Sequence, residues 1–520
     1  MKGPGEGTTV LEPRSSPDIR ITDFLVLMVP CLVPALGLLA RNPVGVPHAE
    51  RLFAVSLLLW FVVAGLTLLA LRFGAHRSPT IVMAFVAAFI VTKGDGFINQ
   101  FGYGLGLLLA TALLALVGVV AFRLRDTPIS NVLIYATAVA LVTGPMIEAV
   151  GTLPAYGSSA RVGPPALEVE LAEDRPDIWL LVLDGHPGLQ AIEQDFGQGT
   201  AEALARRLRS AGFDTPDSAW TSYWTTDYSV SSLLEMTFPT SSVDRVDATT
   251  QDLYRVIAGD NRLVSALESN GYETHMVESG WSGSACGRQI DRCIASAWLD
   301  ESMFLLLSPS VLNEFVLESF GYAFTAGTKT TMGWLLDNAD RLSRDGQPSF
   351  VFAHLMVPHP PFLLGSDCDL VYEDARSGVT FQRTGVSPEQ REEFLEDQMA
   401  CTERFVFDLA GKVDTRSVVV LLSDHGTDRR NQLERSADDW ESADIVERMN
   451  ALVAVKGLSS CPFHEPILVP NVMSHVLSCL SDEEIRPVEP RFHLGPGHEL
   501  TEDEFRQRSG LSVNRYPGNR

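Results

Sequence analysis

Positive charge is scarce in the second part of this 520-residue chain. Residues 1–150 contain 10 Lys and Arg against 8 Asp and Glu, whereas the remaining residues contain 30 against 57. Nucleic acid and anionic lipid surfaces repel negative charge, so neither is expected as a partner of this acidic part. No internal repeat is apparent either. The chain therefore divides into a nearly neutral first part and an acidic second part.

A small-residue cleavage pattern is missing after the first apolar run, and more apolar runs follow, which argues against a signal peptide. The apolar runs are each close to the roughly 20 residues that a membrane-spanning helix needs, and they lie near 21–40, 52–71, 80–98, 103–122 and 129–149. We expect a bundle of about five transmembrane helices. The run 80–98 has a short uninterrupted part, with Lys93 and Asp95 near its end, so it is alternatively re-entrant or packed inside the bundle.

The charges beside these runs favour a cytoplasmic N-terminus. In that orientation the inner segments hold seven Lys and Arg and the short outer loops hold three, as the positive-inside rule requires. Five crossings then place everything after residue 150 outside the cytoplasm of a multi-pass plasma-membrane protein. The expected organisation is a cytoplasmic tail (1–19), a transmembrane domain (20–150), a linker (151–176), a folded extracytoplasmic domain (177–490) and a C-terminal tail (491–520).

Cysteine is infrequent, and its distribution agrees with this topology. Cys31 lies in the first run, and the other six cysteines lie in the part predicted to face an oxidising space, where disulfides form. Six free buried thiols are the alternative. Six cysteines allow fifteen pairings, of which the sequential one closes the shortest loops: Cys286 with Cys293, Cys368 with Cys401, and Cys461 with Cys479.

Two acidic residues follow short apolar runs of the kind that forms buried parallel strands. Asp184 ends the run in DIWLLVLDGHPG, and Asp424 and His425 end the run in SVVVLLSDHG. Strands that alternate with helical patterns predict an α/β fold with a mostly parallel sheet, and ligands bind at the carboxyl ends of such strands. We therefore expect one metal site containing Asp184, Asp424 and His425. The alternative is that the two acids cap the helices that follow them.

Hydroxyl groups crowd ahead of a helical pattern in AWTSYWTTDYSVSSLLEM, residues 219–236. Thr226 stands at the expected start of that helix, where the helix dipole and a bound cation would lower the pKa of its hydroxyl, as a nucleophile needs. An ordinary helix cap is the alternative.

Two histidines accompany the strand in FVFAHLMVPHPPF, residues 350–362. His354 lies near the end of the strand, and His359 lies in a loop that prolines stiffen. Both are candidate substrate-binding residues; for either, packing alone is the alternative.

Together these motifs resemble the membrane-anchored, sulfatase-like branch of the alkaline phosphatase superfamily, which includes lipoteichoic acid synthases and phosphoethanolamine transferases. The resemblance covers roughly residues 176–480. It implies an α/β/α sandwich, a divalent cation held by Asp184, Thr226, Asp424 and His425, and attack by Thr226 on a phosphoryl group. These ligands suit Mn²⁺ or Zn²⁺ better than Mg²⁺ or Ca²⁺, which prefer more oxygen atoms.

The chain departs from this family in two respects. Asp227 adds negative charge directly after the expected nucleophile, and the neighbouring Thr225 is a second candidate for that role. The C/S-x-P-x-R motif of sulfatases is missing at this position, which makes sulfate-ester hydrolysis the weaker interpretation.

We therefore expect a membrane-bound, metal-dependent phosphotransferase that acts on lipid-linked or cell-envelope phosphoesters. A sulfatase-like hydrolase, acting as a phosphatase, phosphodiesterase or sulfuric ester hydrolase, is the alternative. A non-catalytic envelope scaffold is a third hypothesis, which the intact set of acidic, histidine and threonine residues disfavours. No stretch of the sequence specifies a head group, an acceptor or an oligomeric state.

Overall fold

The computed structural model of the chain forms two compact units. The described residues are 20–41, 48–94, 103–127, 129–157, 166–239, 250–294, 300–311, 313–342, 346–371, 387–463, 466–481 and 483–510. The first unit, called the membrane unit here, contains Met1–Arg41, His48–Ala155 and Leu305–Glu314. The second, called the catalytic unit, contains Asn42–Pro47, Tyr156–Phe304 and Phe315–Arg520. The tail predicted over residues 1–19 lies outside the described residues.

Each of the five apolar runs forms a helix in the membrane unit. These helices are α1 (Ile21–Arg41), α2 (Ala49–Arg72), α3 (Arg77–Lys93), α4 (Tyr103–Arg123) and α5 (Ile129–Gly157). Within the described residues, three helices are long and apolar enough to cross a membrane, over Ile21–Ala40, Ala49–Arg72 and Leu105–Arg123. The helix α5 continues to Gly157, into the segment that the sequence predicts as a linker.

Helix α3, the doubtful span of the sequence, is tied to its neighbours at both ends. Near its start, the Arg77 guanidinium donates two hydrogen bonds to the Asp23 carboxylate of α1, at 2.6 and 2.8 Å. Near its end, the main-chain oxygen of Val91 accepts a 3.0 Å hydrogen bond from the main-chain N–H of Val311. At 17 residues, α3 is the shortest of the five helices.

A seven-stranded sheet organises the catalytic unit, in the order β2-β8-β7-β1-β6-β4-β5. Strands β7, β1, β6, β4 and β5 are mutually parallel, whereas β8 runs antiparallel to β7 and to β2. The sheet is therefore mostly parallel, as predicted. Its strands are β1 (Ile178–Leu183), β2 (Phe213–Asp214), β4 (Glu273–Val277), β5 (Arg292–Ile294), β6 (Ser349–Leu355), β7 (Val418–Ser423) and β8 (Val453–Lys456). Two small sheets pair β3 (Ala219–Trp220) with β9 (Ile467–Leu468), and β10 (Arg491–Gly495) with β11 (His498–Thr501).

Helices cover both faces of the large sheet. The helices that follow the first five are α6 (Leu189–Asp195), α7 (Thr200–Ser210), α8 (Thr226–Glu235), α9 (Thr250–Ile257), α10 (Arg262–Ser269), α11 (Glu301–Leu307), α12 (Asn313–Leu342), α13 (Pro388–Lys412), α14 (Ser442–Met449), α15 (Val469–Leu480) and α16 (Glu502–Ser509). One core packs Leu180 and Val182 of β1 against α8, α9, α10 and α15. The opposite core packs Trp179 and Leu181 against α7, α12 and α13. The α/β/α sandwich implied by the resemblance is confirmed.

Two elements differ from the sequence predictions. The patterns at 299–322 and 330–344 predict two helices, but α12 runs without a break from Asn313 to Leu342. Its internal glycines each cost only about 1 kcal/mol, which tertiary packing offsets. Residues 491–509, predicted as part of a C-terminal tail, instead form β10, β11 and α16, because Phe505 is buried and stacks on Phe492 with ring centroids 3.7 Å apart.

The six cysteines of the catalytic unit form three disulfide bonds. They join Cys286 to Cys293, Cys368 to Cys401, and Cys461 to Cys479. This is the sequential pairing that the sequence predicts. Among the described residues, Cys31 of α1 is the free cysteine, and it is buried.

Candidate active site

The two strand-end acids lie side by side because β1 and β7 are neighbours. Leu183 of β1 is in register with Ser423 of β7, so Asp184 and Asp424 leave the sheet at the same edge. Both side chains are fully buried. The Asp424 Oδ1 atom accepts hydrogen bonds from the main-chain N–H groups of Gly185, at 3.1 Å, and His425, at 2.9 Å.

Asp184 does not cap the helix that follows it, contrary to the alternative interpretation of the sequence. Helix α6 begins at Leu189, and its first turn is satisfied by Asn450, whose Oδ1 accepts hydrogen bonds from Gln190 and Ala191. The acid at the end of β1 is therefore available for a role at the sheet edge.

The arrangement of lone pairs at this edge fits a bound cation. One ligand atom each from Asp184, Asp424 and His425 lies within 4.8 Å of the others. Asp184 Oδ1 and Asp424 Oδ2 are buried and have no hydrogen-bond partner, an arrangement that is costly unless a cation satisfies them. Two carboxylates, an imidazole and a hydroxyl suit Zn²⁺ or Mn²⁺.

The His425 ring directs an unprotonated nitrogen towards the carboxylates of Asp184 and Asp424. Its Nδ1 atom lies 2.9 Å from the main-chain oxygen of Gly426, an acceptor, and therefore carries the proton. Burial and the nearby Arg448 guanidinium lower the pKa of His425, so the ring is neutral. The Nε2 atom is then an acceptor, 3.2 Å from Asp424 Oδ2 and 3.8 Å from Asp184 Oδ1.

Asp184 is ionised despite its burial. Burial by itself raises the pKa of a carboxyl group, but the imidazoles of His359 and His354 outweigh it and hold the pKa of Asp184 below its ordinary value. The site therefore presents carboxylate charge rather than a protonated acid, as metal binding requires.

Thr226 lies at the same edge of the sheet because α8 begins there. The N-cap of α8 is Thr225, whose side chain makes no capping hydrogen bond, and Thr226 is the first helical residue. The Thr226 Oγ1 atom lies 3.0 Å from His425 Nε2. Ser229 ties the helix to the strand end, because its hydroxyl donates a 2.6 Å hydrogen bond to the main-chain oxygen of Asp424. The structure thus brings the hydroxyl of Thr226 to the imidazole of His425.

A cavity of about 330 Å³ opens onto Asp184 and Thr226. His359 lines it, and the main-chain oxygen of His359 is held by a 2.9 Å hydrogen bond from Gln398 Nε2. The other lining residues are Thr225, Asp227, Trp281, Glu301, Phe304, Gly321, Phe324, Met356, Pro360 and Pro361. His354 is not among them; it is fully buried behind the site, with its Nε2 atom 3.2 Å from Asp184 Oδ2.

Several residues at the site were not singled out from the sequence. Asn450 caps α6, Gln398 holds the His359 loop, and Arg448 lies beside the Gly426 carbonyl. Each belongs to a helix or turn far away in sequence, and no local motif marks it. Their roles follow only from the tertiary arrangement.

The comparisons with known proteins give solved structures only. No protein-family model matches the sequence, and no curated protein matches it. The C-terminal periplasmic domain of EptC from Escherichia coli, in complex with Zn, is similar at 10% identity, over 67% of this chain and 99% of that one, with a TM-score of 0.43. The integral membrane lipooligosaccharide phosphoethanolamine transferase A from Neisseria meningitidis is similar at 12% identity, over 88% of this chain and 94% of that one, with a TM-score of 0.42.

A protein in the alkaline phosphatase superfamily from Vibrio parahaemolyticus is similar at 12% identity, over 66% of this chain and 81% of that one, with a TM-score of 0.40.

Proposed function

We propose that this protein is a membrane-bound, metal-dependent phosphotransferase whose nucleophile is Thr226. The observation that carries the proposal is the position of the Thr226 hydroxyl, 3.0 Å from His425 Nε2 at the mouth of a cavity. Two buried carboxylate oxygens without hydrogen-bond partners lie at the same strand ends. A hydroxyl in such a place is suited to nucleophilic attack.

The residues that would hold the cation are Asp184, Thr226, Asp424 and His425. When bound, Zn²⁺ or Mn²⁺ would act as a Lewis acid that lowers the pKa of the threonine hydroxyl and offsets phosphoryl charge. The chain itself contributes the orientation of the hydroxyl, which is fixed at the start of α8, and an imidazole at His359 that faces the same cavity.

The reaction would proceed in two displacements at phosphorus. In the first, the Thr226 oxygen forms a bond to phosphorus, the bond to the leaving oxygen breaks, and the leaving group takes up a proton. In the second, the oxygen of an acceptor alcohol bonds to phosphorus and the bond to Thr226 breaks, which returns the free hydroxyl. Covalent catalysis of this kind divides one difficult transfer into two easier steps.

The cavity favours an amphipathic phosphoester. Its lining includes the polar groups of Asp184, Thr226 and His359 and the apolar side chains of Trp281 and Phe324. A lipid-linked or envelope phosphoester combines an anionic group with an apolar part. The orientation of the apolar helices inferred from their Lys and Arg residues would place this cavity outside the cytoplasm.

Substitution of the two neighbouring threonines tests the nucleophile. Thr226→Ala should abolish turnover of labelled membrane phospholipids, while Thr225→Ala serves as the matched control and should keep most of it. The stability cost of Thr226→Ala should be about 1 kcal/mol or less, because the residue contributes at most as a helix-terminal hydroxyl. A phosphorylated peptide from residues 219–236 should be recoverable from the wild-type protein. Near-normal turnover in Thr226→Ala would refute the assignment.

The fate of the label separates transfer from hydrolysis. Label in an acceptor lipid or glycan supports a transferase, and label released to water supports the hydrolase alternative. If wild-type protein that is loaded with Zn²⁺ or Mn²⁺ turns over no phosphoester or sulfate ester, the non-catalytic scaffold is the better interpretation.

A further inference from the structure

Arg448 is a buried cationic residue beside the candidate site. No sequence motif predicts its position there. It lies near the end of α14, directly before Met449, and the residue is 6% exposed. Burying a guanidinium costs several kcal/mol unless its surroundings compensate the charge and use its N–H groups. The contacts of this side chain therefore indicate why it is there.

The Arg448 guanidinium donates its hydrogen bonds to two main-chain carbonyl oxygens. Its Nε and Nη2 atoms donate to the oxygen of Trp224, at 2.8 and 2.6 Å, and its Nη1 atom donates to the oxygen of Gly426, at 2.9 Å. Within the described part of the chain, no carboxylate oxygen lies within 4.0 Å of it. The side chain thus acts as a bridge between two stretches of main chain.

The two carbonyls belong to the two segments that form the site. Trp224 lies two residues before Thr226, in the turn that leads into α8. Gly426 directly follows His425, and its oxygen also accepts the hydrogen bond from His425 Nδ1. One guanidinium therefore contacts the segment that carries the hydroxyl and the carbonyl that orients the imidazole.

We propose that Arg448 is a positioning residue that holds the Thr226 segment and the His425 segment together, and so sets the affinity of the site for its cation. This inference rests on the metal site of the proposed function. Groups that orient metal ligands from behind typically contribute 10- to 100-fold to metal affinity. Arg448 reaches the ligands only through main-chain atoms, and it touches no reacting group.

Arg508 provides a matched control. Its Nη2 atom also donates to two main-chain carbonyls, those of Ala437, at 2.8 Å, and Trp440, at 3.1 Å. Neither carbonyl belongs to the site. Loss of Arg508 should therefore lower stability in the same manner without changing the cation site.

The experiment measures the zinc affinity of the full-length protein in detergent by competition with a chromogenic chelator. Zinc bound by Asp424→Ala is subtracted as background. Arg448→Met should weaken zinc binding about 10- to 100-fold, whereas Arg508→Met should leave it within about twofold of wild type. Millimolar guanidinium should restore much of the affinity of Arg448→Ala. Zinc affinity within about twofold of wild type in Arg448→Met would overturn the proposal.

Arg448→Lys keeps the test decisive if Arg448→Met does not fold. A lysine ammonium lacks the planar fork and cannot bridge both carbonyls in the same way, so zinc affinity should still fall about tenfold. A lysine variant with wild-type affinity would overturn the proposal. If the wild type binds zinc but turns over no phosphoester, the proposed function fails, and the zinc affinities still decide the role of Arg448.

Discussion

At the scale of single residues, the proposed cation site depends on buried carboxylate oxygens that have no hydrogen-bond donor among the described residues. Asp424 gives one oxygen to the main-chain N–H groups of Gly185 and His425 and leaves the other without a hydrogen bond. Asp424→Ala should therefore lose the bound metal in elemental analysis. Asp428→Asn is the control, because its Oδ1 accepts a hydrogen bond from Leu433 outside the site. Equal metal contents in wild type and Asp424→Ala would refute the assignment.

His186 predicts a pH dependence of stability. Burial lowers the pKa of His186 from 6.5 to about 4 in the folded state. Between pH 6.5 and pH 4, His186 is protonated in the unfolded chain but not in the folded chain. The free energy of unfolding therefore falls as the pH decreases from 6.5 to 4. The loss is roughly 3 kcal/mol.

The comparison is between wild type and His186→Gln, both kept metal-free with a chelator so that metal release does not contribute. Urea unfolding between pH 7 and pH 4, values chosen to bracket the two pKa values, should show a smaller loss of stability in the variant. Identical pH profiles would mean that the ring is accessible to protons when folded.

At the scale of elements, the turn after β7 leaves no room for a side chain at Gly426. A Cβ atom there would lie 1.8 Å from the main-chain oxygen of Glu447. Gly426→Ala should therefore force the turn away from α14 and destabilise the protein by about 1–3 kcal/mol or more. Gly411→Ala is the control, since nothing lies within 4 Å of its Cβ position in α13, and it should stabilise by about 0.5–1 kcal/mol. The free energy of unfolding of both variants can be measured in urea. A change of the same sign in both would contradict this prediction.

The elements that the sequence predicts best are those whose burial is complete. The runs that form β1, β6 and β7 are predominantly apolar because both faces of a central parallel strand are covered. The two-residue strands β3 and β9 have no such run, since their pairing is decided by distant chain segments. Helix α16 is rich in charge, and its single buried aromatic residue, Phe505, carries no helical period.

The same distinction applies within the site. Asp184, Asp424 and His425 stand at strand ends, and strand ends can be read from the sequence. Arg448 and Asn450 act through contacts more than 20 residues away in sequence, such as Arg448 with Trp224. Long-range main-chain contacts leave no local pattern, so sequence alone does not predict these residues.

At the scale of the whole molecule, the distributions of charge and of cysteine both favour an extracytoplasmic location for the catalytic unit. The outer loops are poor in Lys and Arg, and the catalytic unit holds three disulfide bonds. Disulfides persist in oxidising spaces. Both properties support an extracytoplasmic catalytic unit, which the proposed action on envelope substrates requires.

The division into two units predicts how the catalytic unit behaves alone. It has its own large sheet and three hydrophobic cores, so residues 166–510 should fold and unfold in urea as one cooperative transition. Residues 305–314, however, cluster with the membrane unit; in the full chain Leu306 is buried, at 7% exposed, and Leu305 is 39% exposed. Without the membrane helices, this segment should expose apolar surface and make the fragment associate or bind detergent.

Leu305→Gln with Leu307→Gln should therefore yield a fragment that elutes as a monomer without detergent in size-exclusion chromatography. The matched control is Leu433→Gln, because Leu433 is similarly exposed, at 43%, but lies in the catalytic unit outside this segment. That control should associate as the unmodified fragment does. All of these fragments should bind zinc equally, because Asp184, Asp424 and His425 belong entirely to the catalytic unit. An unmodified fragment that is monomeric without detergent would show that residues 305–314 need no membrane unit to cover them.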